Sequence, residues 1–85
     1  MAKTKIKKLF KYTVVFEPAE EGGYVAYVPS LPGCVTEGDS LEEAMEMVKD
    51  AISGYIVSLK KHHESIPEEK GPSLVSVVDV PIMSP

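Results

Sequence analysis

CVTEGDSLEEAMEMVKDAISGYIVSLK, residues 34–60, holds the end of a β region and the start of a long helix. Ser40 is a residue type that caps helix N-termini, and Glu43, three positions on, completes a capping box, expected to reach back to the Ser40 N–H. Asp39, Glu42 and Glu43 place negative charge at the positive end of the helix dipole. Leu41, Ala44, Met45, Val48, Ala51, Ile52, Tyr55, Ile56 and Leu59 then recur at three- and four-residue steps. Glu42, Glu46, Lys49, Asp50, Ser53 and Lys60 fall on the other side, so the pattern predicts an amphipathic helix of about six turns. Lys60, Lys61, His62 and His63 suit its C-terminal end, and Pro67 stops it from running on.

Upstream, LFKYTVVFE at 9–17 carries Phe10, Tyr12, Val14 and Phe16 at period two, the pattern of a strand with one apolar face. PAEEGG follows and then YVAYV, which predicts a hairpin closing at Glu21-Gly22-Gly23. PSLPG at 29–33 is turn-forming and leaves room for a short third strand at Cys34–Glu37. Downstream of the helix, EEKGP at 68–72 is polar, and the β-branched run LVSVVDV at 74–80 reads as a last strand, ended by Pro81. The order is β-β-β-α-β. An apolar stripe must be buried against something, so the expected architecture is α+β: a mainly antiparallel sheet with one long amphipathic helix across one face. Residues 9–82 form the expected domain, and residues 1–8 a basic arm.

With 85 residues, 44% apolar and 26% charged, the chain has the composition of one small soluble domain. No apolar run approaches the ~20 residues needed to span a bilayer, and the N-terminus lacks the apolar core of a secretory signal, so a cytoplasmic location is expected. The formal net charge of −4 is unevenly spread: Lys3, Lys5, Lys7, Lys8 and Lys11 make residues 1–11 +5 and leave residues 12–85 at −9. All nine cations are lysine, and without arginine's bidentate fork sequence-specific reading of nucleic acid is not expected. An acidic body steers toward a basic partner. A core this small, with one cysteine and hence no internal disulfide, suggests bracing by homo-oligomerisation, a dimer or higher. The first or last strand could pair across a two-fold axis, and Met47 and Val57, off the main stripe, could face a second subunit.

Few residues suit catalysis. Cys34 follows a turn but has no nearby base, and is expected to be a small, half-buried strand residue. His62 and His63, adjacent on a helix, diverge by about 100° and cannot share a metal ion unaided. The pairs Glu20-Glu21, Glu42-Glu43 and Glu68-Glu69 sit in turns, caps or linkers rather than in apolar pockets. The glycines match neither a dinucleotide fingerprint nor a P-loop. No catalytic residue, metal or cofactor is expected.

The run from Gly23 to Ala44, GYVAYVPSLPGCVTEGDSLEEA, resembles the HicB antitoxin family, above all at Pro29-Ser30-Leu31-Pro32-Gly33-Cys34 and from Thr36 to Ala44. The resemblance extends from about Lys11 through the helix. It implies a shrunken RNase H-like fold, β-β-β-α-β, that is not catalytic, and a HicA toxin as partner, a small basic ribonuclease that degrades messenger RNA. The candidate partner-binding residues are then Ser30, Glu37, Asp39, Glu42, Glu46 and Asp50. Ser30 stands where an aspartate is common in the family, and the C-terminal DNA-binding domain of many members is not expected here. Two other readings accompany this one. A homo-oligomeric scaffold could bind nucleic acid nonspecifically through Lys3, Lys5, Lys7 and Lys8, and a residual hydrolase could use Glu17 or Asp79.

Overall fold

The computed structural model describes residues 9–84; the lysine arm lies outside them. It contains β1 (Val15–Pro18), β2 (Tyr24–Tyr27), β3 (Val35–Gly38) and α1 (Leu41–Lys61). The strands form an antiparallel sheet in the order β1-β2-β3, with Phe16 opposite Ala26 and Ala26 opposite Thr36. The α+β arrangement read from the sequence is thus present, with a shorter first strand.

Local chemistry explains each junction. Between β1 and β2 the Ala19 N–H donates to the Gly23 carbonyl at 3.0 Å and the Gly22 N–H to the Ala19 carbonyl at 3.0 Å. Gly23 has φ +75°, in the left-handed region that glycine occupies without steric cost. The β2–β3 connection is tightly built: the N–H groups of Val28, Leu31 and Cys34 donate to the carbonyls of Cys34, Val28 and Leu31 at 3.0–3.1 Å. These bonds turn Leu31 inward, where it is the largest fully buried side chain, and the Tyr55 hydroxyl donates to the Pro32 carbonyl at 2.7 Å. Full burial of a leucine contributes about 2 kcal/mol.

α1 starts as the capping signals require, with one shift. The Glu43 N–H donates to Ser40 Oγ at 3.1 Å, but Glu43 Oε1 accepts from the Asp39 N–H at 3.0 Å, not from Ser40 as the capping box predicts. The start of α1 also presses on the sheet: a Cβ on the buried Gly38 would overlap the Ala44 backbone. At the other end the His63 N–H donates to the Lys60 carbonyl and the Glu64 N–H to the Leu59 carbonyl. This is a Schellman closure with His63 in the left-handed position at φ +56°, where glycine is usual.

Ala26, Val28, Leu31, Cys34 and Val48 form the buried cluster, with Val14, Phe16, Ile52 and Tyr55 packed against it. α1 lies over β2 and β3 and leaves β1 largely uncovered. The last strand expected at 74–80 is the one element that does not form: residues 72–84 contain no strand. Leu74 and Val77 are each 93% exposed. A strand exists only as part of a hydrogen-bonded ladder, and nothing among the described residues pairs with this segment. The Cα radius of gyration is accordingly 16.8 Å, against about 12 Å for a compact chain of this length.

Candidate functional site

The residues singled out from the sequence fall in three places. Glu42, Glu46 and Asp50 are four residues apart on α1, so they line one helical face, and all three are exposed. Asp39 precedes this line, just before the N-cap, and is exposed too. Lys49 Nζ lies 3.7 Å from Glu46 Oε1, an ion pair in water that is worth little. Three of the six candidates therefore follow one another along the N-terminal half of α1, and a fourth, Asp39, lies just before it.

Glu37 does not join them. It is opposite Val25 in the sheet, while the neighbouring pair Ala26 and Thr36 has its Ala26 member buried beneath α1. Side chains alternate along a strand, so Glu37 belongs to the face turned away from the helix, with Val15, Glu17, Tyr27 and Val35.

Ser30 belongs to a third, internal arrangement. Its Oγ donates to Glu69 Oε2 at 3.1 Å, and Glu69 also accepts from the Thr13 N–H and Thr13 Oγ1, each at 2.7 Å. Ser73 Oγ adds a longer bond at 3.4 Å. These donors hold the Glu69 carboxyl below the usual glutamate range, the Thr13 hydroxyl first and the Thr13 amide next. The Tyr12 hydroxyl donates to the Pro67 carbonyl beside it. Glu69 thus clasps the segment after the helix to the chain leading into β1 and to the β2–β3 loop. The sequence offers no sign of this role, since Glu69 and Thr13 are 56 residues apart and Glu69 sits in a stretch that looks like polar linker.

Beside β1 the uncovered sheet and α1 bound an apolar groove of about 860 Å³. Val14 and Phe16 form its sheet wall and Met45, Ile52 and Val57 its helix wall, with Lys11, Lys49 and Lys60 as its charged residues. Val57, expected on an apolar flank, is part of this wall, while Met47 is 46% exposed elsewhere.

Cys34 is more deeply buried than expected, at 4% exposure, and burial pushes its thiol pKa up, the direction that lowers reactivity. His62 Nδ1 lies 2.8 Å from the Ser58 carbonyl, so the ring serves the helix end. Glu17 and Asp79 are both exposed, and no group of three His, Cys, Asp or Glu that could hold a metal ion occurs among the described residues. No helix among them is long and apolar enough to cross a membrane.

Comparison with known proteins adds the following. The family model described as a HicB-like antitoxin of bacterial toxin-antitoxin systems matches residues 12–81. A UPF0150 protein of Thermoplasma acidophilum is 52% identical over 59 residues, which cover 69% of this chain and 86% of that protein. Antitoxin HicB 1 of Photorhabdus laumondii is 42% identical over 77 residues, covering 91% of this chain and 49% of its own length. The chain thus matches about half of that relative. Antitoxin HicB of Escherichia coli is 43% identical over 42 residues, or 49% of this chain and 30% of that protein.

Proposed function

Because the chain belongs to the HicB-like antitoxin family of bacterial toxin-antitoxin systems, we propose that it acts without catalysis, by binding a protein toxin. The partner in this reading is a HicA-like ribonuclease, small and basic, whose RNA-binding surface the chain covers. The observation that carries it is the exposed line of Glu42, Glu46 and Asp50 on α1, led by Asp39. An acidic helical face in a body of charge −9 offers a basic RNA-binding surface the charge it otherwise finds in phosphate. Glu37, on the opposite sheet face, is outside this contact, and Ser30 acts on it only by holding the β2–β3 loop in place.

Inhibition of RNA cleavage by a co-expressed HicA-like toxin tests the reading. The wild-type chain should bind the toxin and block cleavage, with affinity falling as salt rises. The charge reversal Glu42→Lys/Glu46→Lys/Asp50→Lys should weaken binding by roughly 100-fold, mostly through slower association. These side chains point into solvent, so the variant should remain folded by circular dichroism. Absence of binding to any basic ribonuclease of this type, or binding indifferent to the reversal, would falsify the assignment. If the chain instead binds RNA or DNA regardless of sequence, and loses that on deletion of residues 1–8, it is a scaffold acting through its lysine arm. In the antitoxin reading the working unit is a homo-oligomer.

A further inference from the structure

The molecule carries two unfinished halves of one structure. One is the groove beside β1, an edge strand of the sheet, with apolar walls from Val14, Phe16, Met45 and Ile52. The other is the segment 74–83, LVSVVDVPIM, in which Leu74, Val78, Val80 and Ile82 share one face at the period of a strand. Those four are 67–93% exposed. Seven large apolar side chains in one exposed run exceed the scattered surface residues normal for a monomer.

We propose that residues 74–82 of a second copy of this chain fill the groove, so that two molecules exchange C-terminal segments across a two-fold axis and each adds a strand to the other's β1. Three observations favour a second copy. The first is reach. The Glu69 carboxylate fixes its segment beside Thr13, and an extended chain leaving that point is five residues on by Leu74. Run alongside the sheet wall of the groove, whose lining extends only from Phe10 to Phe16, five extended residues from Thr13 carry it past either end of that wall. The apolar run would begin where its own groove wall stops. The second is fit: Asp79, the one charge in 74–83, falls on the alternate face of the strand, so the face with Leu74, Val78, Val80 and Ile82 brings no charge into the apolar groove. The third is self-complementarity, since each copy has one groove and one segment and two reciprocal insertions close the assembly. Pro81, lacking an N–H, would end the added strand.

The exchange needs no toxin and is measured on the chain alone, so its failure leaves the toxin-binding test untouched. Sedimentation equilibrium of the full chain at 1–100 µM (about the range where such a dimer would populate) should show a dimer. Val78→Asp/Val80→Asp in the segment and Met45→Asp in the groove should each weaken it by roughly 100-fold or more. These positions are 74%, 67% and 46% exposed, so neither variant should unfold the body. Mixing the two variants should restore a heterodimer, because wild-type segment and wild-type groove then meet once. A monomeric wild type overturns the proposal, as does a dimer that survives the segment variant or a mixture that fails to associate. A monomer whose residues 74–82 resist hydrogen exchange would mean that the segment folds back onto its own chain.

Discussion

The β2–β3 loop and the C-terminal segment each place a leucine close to prolines, yet the fates of the two leucines are opposite. Leu31 in the loop is 0% exposed, while Leu74 in the segment is 93% exposed. Hydrophobicity does not separate them; hydrogen bonding of the backbone does. Around Leu31 three amide donors find carbonyls within the loop, so the chain can turn inward without leaving polar groups unpaired. Around Leu74 the backbone has no ladder, and burying it alone would leave those groups unsatisfied, at a cost above what the leucine returns. An apolar side chain is buried where its backbone can follow.

The largest expected effect tests the tight side of this contrast. Gly38→Val places a side chain against the Ala44 backbone, where nothing flexible can give way, and should leave the chain largely unfolded at 25 °C by circular dichroism. Near-native ellipticity and melting would show that the β3–α1 junction is looser than described. Leu31→Ala comes next, at about 2–5 kcal/mol in urea unfolding. The matching truncation, Leu74→Ala, should change the stability of the isolated body by less than about 0.5 kcal/mol. Equal costs at the two positions would erase the distinction between loop and segment.

The ends of α1 give smaller effects of opposite sign. Ser40→Ala removes the acceptor of the Glu43 N–H and should destabilise by about 1 kcal/mol. His63→Gly relieves a left-handed residue and should stabilise by up to about 1 kcal/mol, although it forgoes any favourable charge at the helix end. A loss on His63→Gly would mean that the imidazole contributes more than its backbone costs.

Glu69→Gln should be a small change at neutral pH, since glutamine keeps one acceptor oxygen for the Thr13 amide and Ser30. Its signature is pH dependence. The Glu69 carboxyl titrates lower folded than unfolded, so its contribution is complete above the ordinary glutamate pKa. It then fades as pH falls through the lowered folded value. Unfolding curves of wild type and variant should therefore differ at pH 7 and converge in acid. A gap that persists at low pH would place the stabilisation elsewhere than in the carboxylate.

Much of the fold was legible because its signals are local. Ser40 and Glu43 lie three residues apart, Gly22-Gly23 marks the hairpin, and the α1 stripe repeats within single turns. The acidic line at Glu42, Glu46 and Asp50 was legible for the same reason, since helical spacing alone aligns it. The capping box missed by one residue because the choice between the Asp39 and Ser40 amides depends on the loop's path into the helix. The Ser30–Glu69–Thr13 clasp was not legible, because it joins three segments that look polar and unremarkable one at a time.

By itself the sequence determined the elements whose information is carried within a few neighbouring residues: the hairpin, the helix, its caps, and the charge of the body. Tertiary structure decided which apolar residues are covered, that Glu37 lies apart from the acids of α1, and that 74–80 stays unpaired within one chain. The physical reason is that turns and helices satisfy their own backbone, whereas a strand's amides and carbonyls are completed only by another strand, whose presence no local pattern of residues can specify.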